Sequence, residues 1–129
     1  MKKYILLSTL AFLFLVFSSD RAAAQTKTRV RFARGATSAT LRGAVKGYTY
    51  RDYVFSARQG QRVAVKLDAK YPVPDLVVRD PNGENLNSGG GDWSGEIPAN
   101  GTYTVRVLLP RAFARRGTSA AFKLTIEIE

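Results

Sequence analysis

The chain has 129 residues, 20 Lys and Arg against 10 Asp and Glu, a formal charge of +10, and neither His nor Cys. Those absences exclude imidazole acid–base catalysis, thiol nucleophiles, most transition-metal sites and disulfide staples. Stability must come from packing, and the length fits a single domain.

At the N-terminus, Lys2 and Lys3 precede an apolar run from Tyr4 to Phe17, and Ala22, Ala23 and Ala24 precede Gln25. A charged start, an apolar middle and small closing residues are the order of a secretory signal. The run of 14 residues is shorter than the roughly 18 that a membrane-spanning helix needs, and no second such run follows. Residues 1–24 are therefore expected to be a cleavable signal, and residues 25–129 a mature domain with no membrane span. The expected destination is the periplasm or the outside medium. Cleavage would remove three basic residues and one acidic one, leaving 17 against 9, a charge of +8. Such a balance favours acidic partners. An exported protein meets little nucleic acid, so anionic envelope polymers or acidic protein surfaces are the expected targets.

From Thr28 onward apolar and polar residues alternate, which is the period of half-buried strands. Breaks of Gly, Asn and Pro recur at 43–47, 59–61, 71–74, 80–83, 88–91 and 98–101. Between them the pattern predicts strands at 28–32, 38–42, 48–57, 62–69, 75–79, 93–97, 102–109 and 120–128, with 25–28 as a loose end. About eight short strands with turns between them predict an all-β fold, a small antiparallel β-sandwich.

The mature carboxylates fall mostly at strand ends or on outward faces, so no catalytic site is expected and the protein is read as a non-enzyme. Asp80, Asn82 and Glu84 have a spacing compatible with calcium, but Asp-Pro-Asn-Gly is first of all a turn, and neither metal nor cofactor is expected. Three features suggest a binding surface. Arg111, Arg115 and Arg116 lie in residues 110–118, a non-alternating segment between two strands, where guanidinium forks would suit carboxylates. A solvated hairpin loop whose charges merely aid solubility is the reading that spacing alone favours for that segment. Residues 46–55, KGYTYRDYVF, are dense in Tyr; Tyr53 and Phe55 alternate inward, whereas Tyr48 and Tyr50 sit nearest the turn and offer rigid contact faces. Residues 87–93, NSGGGDW, would admit close approach of a partner, or serve as a plain flexible connection.

The stretch KGYTYRDYVFSARQGQRVAV, residues 46–65, resembles the periplasmic inhibitors of goose-type lysozyme. So does SGEIPANGTYTVRVLLPRAFARR, residues 94–116, with its Pro-Ala-x-Gly-x-Tyr strand and a loop holding two Arg four apart, here Arg111 and Arg115. Both stretches are also similar to the sandwich domains appended to secreted peptidases. The resemblance implies an envelope protein that blocks a g-type lysozyme by inserting loops into its cleft, with Arg111, Arg115, Arg116, Tyr48 and Tyr50 at the contact. The alternative is a non-catalytic envelope module that grips an anionic or carbohydrate polymer with the same loops.

Overall fold

The computed structural model describes residues 25–129, so the expected export signal lies outside the described residues. The alternating segments become eight strands: β1 (Gln25–Arg29), β2 (Ser38–Lys46), β3 (Tyr50–Ala57), β4 (Arg62–Ala69), β5 (Asp75–Arg79), β6 (Trp93–Glu96), β7 (Gly101–Leu108) and β8 (Ser119–Ile128). A single helical turn, α1 (Arg111–Ala114), interrupts the connection from β7 to β8. The strands form two four-stranded sheets, β1-β3-β7-β5 and β2-β8-β4-β6. They are the two layers of the expected sandwich.

Side chains at every second position of β3, β4, β5, β7 and β8 fill the space between the sheets. Val63, Val65, Leu76, Val78, Tyr103, Val105, Val107, Leu124 and Ile126 are completely buried. Burial of each aliphatic side chain favours folding by about 1.5–3 kcal/mol relative to exposure. Phe55 stacks on Tyr103 with ring centroids 5.9 Å apart, and the Tyr103 hydroxyl donates to the Ala99 carbonyl at 2.6 Å. Tyr53 and Phe55 both point inward, as their alternation required.

Three local details differ from the sequence expectation. The first strand spans 25–29 and not 28–32, and it runs parallel to β3, with Gln25 opposite Tyr50 and Arg29 opposite Val54. All other neighbouring pairs are antiparallel. An edge strand held through its backbone needs no apolar alternation, whereas the apolar signal came from Val30 and Phe32, which pack on the core just beyond the strand. The second strand continues through Gly43 to Lys46, although that stretch reads as a turn. Gly43 faces inward opposite Phe122, and a Cβ there would stand 2.6 Å from the Tyr53 hydroxyl and 2.7 Å from Phe122 Cζ. The glycine is a packing residue, making room for two rings that meet edge to face at 6.2 Å. Finally, residues 110–118 include α1 where a simple loop was expected.

The Gly-rich run closes an edge. Leu86 N–H donates to the Val78 carbonyl at 2.7 Å, and Leu76 N–H to the Gly90 carbonyl at 2.8 Å. The Asn87 side chain accepts from Val78 N–H and donates to the Leu76 carbonyl, each at 2.8 Å. The segment thus acts as a cover for β5, and Asp92 then fastens it to β4 by accepting from Leu67 N–H at 2.9 Å. In the turn at 80–84, Asp80 Oδ1 accepts from the backbone N–H of Asn82 and of Glu84, at 2.9 and 2.8 Å. That is the local bonding by which Asp builds a turn.

Pairing fixes which loops meet. Tyr50 and Asp75 both lie opposite Leu108, Lys46 lies opposite Ser119, and Ala69 opposite Phe122. Residues 46–49, 70–74 and 109–118 therefore share one end of the sandwich.

Candidate binding end

The arginine segment reads PRAFARRG, with Pro just before the first helical residue and Gly three positions after the last. The Pro110 carbonyl accepts from Phe113 N–H and Ala114 N–H, both at 2.9 Å, and Arg115 N–H closes the turn on the Arg111 carbonyl at 3.1 Å. Gly117, at φ 70°, ends it. Ala114 is buried and Phe113 packs against the core, so the turn is anchored from beneath. Residues four apart on a helical turn project to the same side. Arg111 and Arg115 are so placed, both exposed, and among the described residues neither takes part in an ion pair. Arg116 differs: its Nε donates to the Ala112 carbonyl at 3.0 Å, and its guanidinium carbon lies 5.4 Å from the centroid of the Phe113 ring.

Tyr48 sits in the turn next to this one. Thr49 closes that turn, its hydroxyl donating to the Lys46 carbonyl at 2.6 Å and accepting from Lys46 N–H at 3.0 Å. Gly47 N–H donates across to the Thr118 carbonyl at 2.9 Å, so the two loops are tied together. Gly47 itself, at φ 59°, adopts the left-handed conformation that bulkier residues resist. The Tyr48 ring is left 69% exposed.

Tyr50 is placed differently from its sequence expectation as a free contact face. It begins β3 on the outer surface of its sheet, half-buried, with the Arg106 guanidinium 3.8 Å above its ring. Arg106 is held by two bonds to Asp52, Nε to Oδ1 at 2.8 Å and Nη2 to Oδ2 at 2.9 Å. Hydrogen bonding to Asp52 raises the Arg106 pKa above its ordinary value, while burial opposes the shift. One face of Tyr50 is therefore already in use.

The structure brings together Tyr48, Arg111, Arg115 and Arg116, with Tyr50 at the margin. Sequence reasoning missed Tyr71, whose ring meets Phe113 edge-on at a centroid distance of 5.3 Å. Its segment, YPVP, carried only a turn signal. The Arg106–Asp52 pair was also missed, because it depends on strand register. The three loops together carry Lys46, Lys70, Arg111, Arg115 and Arg116 and no carboxylate. Such an end has a positive charge that suits anionic groups, with the exposed Tyr48 and Tyr71 rings beside it.

No family model matches the chain. It is 31% identical over 125 residues to the inhibitor of g-type lysozyme of Escherichia coli strain K12, covering 91% of this chain and 92% of that protein. Among solved structures it is similar to PliG of Aeromonas hydrophila, a periplasmic inhibitor of g-type lysozyme. The TM-score there is 0.73 at 34% identity, over 81% of this chain and 97% of that one. PliG of Salmonella Typhimurium gives 0.69 at 28% identity, over 81% and 98%. A pre-peptidase C-terminal domain of a Bacillus anthracis collagenase shares the fold, with a TM-score of 0.52 at 10% identity over 80% and 94%. Identity above three tenths, sustained across nine tenths of both sequences and carried on one sandwich, places this chain in the family of inhibitors of g-type lysozyme.

Proposed function

We propose that this protein is a periplasmic, non-catalytic inhibitor of g-type lysozyme, and that it works by seating the arginine turn and the Tyr48 turn in the enzyme's substrate cleft. One observation carries the reading: Arg111 and Arg115 stand on the same side of an anchored helical turn, exposed and unengaged by any carboxylate among the described residues. Glycosidase clefts hold carboxylates that act on the sugar chain. Guanidinium groups pair with carboxylates through forked donors, and exclusion of water from the cleft strengthens the pairing. Tyr48, and the free edge of Tyr50, would contact the cleft walls. Occupation of the cleft is the whole mechanism, so it needs no cofactor.

The test is inhibition of a g-type lysozyme by the mature protein and by Arg111→Ala, Arg115→Ala and Arg62→Ala. Arg62 is exposed at the opposite end of the sandwich, paired with Glu96 in the strand register. Loss of either loop arginine should weaken binding by about 2 kcal/mol or more, near thirtyfold, mostly through faster dissociation. Arg62→Ala should change little. Equal, small and salt-erased effects at all three positions would overturn cleft insertion. Absence of inhibition by the unmutated protein would overturn the function.

A further inference from the structure

Among the described residues three large apolar side chains stand exposed: Tyr48, Tyr71 at 81% and Val73 at 45%. Single exposed rings are ordinary on protein surfaces. Tyr71 differs in resting on another ring. It rests edge-on against Phe113, whose ring also lies under the Arg116 guanidinium, so Tyr71, Phe113 and Arg116 form one continuous series. Its loop is short and anchored at both ends: Ala69 is paired with Phe122, and Pro74 is completely buried. A ring supported on one side before contact loses less freedom on binding than an unsupported one.

Beside Tyr71 an open groove of about 470 Å³ runs onto the outer face of the second sheet. Its floor is small, at Ala120 and Ala121, and its walls carry Arg42, Lys70 and Lys123 against Asp68 alone. Lys123 Nζ lies 3.8 Å from Asp68, which leaves Arg42 and Lys70 as the uncompensated charges among those walls.

We infer that Tyr71 is a third contact element for g-type lysozyme, and that the contact surface continues past the arginine turn onto this groove. The inference rests on the reading above, and its occupant is the same enzyme. Tyr71 leans on Phe113, whose ring also meets Arg116, and its loop shares one end of the sandwich with the arginine turn, so a body that spans this end reaches the ring as well. The excess of positive charge in the groove has the same sign as that of the loops and suits the same anionic surface.

Tyrosine nitration with tetranitromethane, read by mass spectrometry, gives direct contact. Tyr48 and Tyr71 should both be nitrated in the free protein, and both protected in the complex. Protection of Tyr48 with undiminished nitration of Tyr71 would overturn this inference while leaving the proposed function intact. In parallel, Tyr71→Ala should raise Kd at least tenfold with an unchanged Tm, and Tyr71→Phe should remain within about threefold of the unmutated protein, because the ring makes the contact. A Tyr71→Ala protein that binds as well as the unmutated one would also overturn it. If the unmutated protein fails to inhibit, or the groove binds free anionic glycan and no lysozyme, the inference and the reading fall together.

Discussion

Arg106 grips Asp52 across β3 and β7 through two parallel hydrogen bonds, with the guanidinium side chain 20% and the carboxylate side chain 10% exposed. Tyr50 lies under the same guanidinium, so the pair also sets the position of a ring at the binding end. Replacement of Asp52 by Ala leaves a partly buried cation without its acceptor. The expected cost is about 1–3 kcal/mol, a fall in Tm of several degrees or more, measured by thermal unfolding. The raised Arg106 pKa adds stability that is fully present below the ordinary guanidinium value and is lost only as pH rises through the raised one. The unmutated protein should therefore keep the same margin over Asp52→Ala at pH 7 and pH 9.

The Tyr53 hydroxyl is buried beside Gly43 and Phe122, and among the described residues it makes no hydrogen bond of good geometry. Burial raises its pKa above the ordinary value, and the nearby Arg51, through its charge and a weak hydrogen-bonding contact, offsets this only in part. Arg51 Nε is itself committed to the Ala44 carbonyl at 2.7 Å. Tyr53→Phe should be neutral or stabilising by up to about 1 kcal/mol, since an unsatisfied polar group is removed. The sign of the pH effect follows from linkage: a group protonated more firmly in the folded state supports folding below its unfolded value, near pH 10, and withdraws that support as pH rises beyond it. Above pH 10 the variant should thus gain on the unmutated protein. A difference that stays flat with pH would refute the assignment.

Gly43→Ala introduces a methyl group where two rings already stand, and should destabilise by about 1–3 kcal/mol. Phe122→Leu in that background should recover part of the loss, although Phe122→Leu alone should be destabilising. The non-additivity, measured as a double-mutant cycle in denaturant, identifies the clash.

Asn87→Ala removes two hydrogen bonds from the covering of β5 and should cost about 1–2 kcal/mol. Asp80→Ala should cost about 1 kcal/mol through its turn. Calcium or a chelator should leave the Tm of the unmutated protein unchanged; a chelator-induced fall would show that the Asp80 turn binds an ion.

Local periodicity made the strands legible. Phe122, Leu124 and Ile126 alternate with Lys123 and Thr125, and the structure buries the first set in the core. The arginine segment was legible as a place of interest through its charge and broken alternation. Its conformation was not, because a four-residue turn is too short for a helical period to register. Gly43 misled because the sequence carries the freedom of a glycine but not the rings that surround it, which come from β3 and β8. Arg106 and Asp52 are 54 residues apart, and only the register of β3 against β7 brings them together. Tyr71 was lost among prolines that announced a turn, and its importance rests on a neighbour, Phe113, that belongs to another loop.

The position of β8 has a consequence for the order of assembly. It lies between β2 and β4, follows both in the chain, and among the described residues is the only strand through which β2 joins its sheet. The β4–β6 pair can form without it, but β2 has no partner in its sheet until β8 is present, and closing that sheet requires contacts between residues as far apart as Ser38 and Glu127. Such distant pairings are slow to form. The sandwich is therefore complete only once residues 119–128 are in place, and a chain that ends before them leaves β2 without its partner.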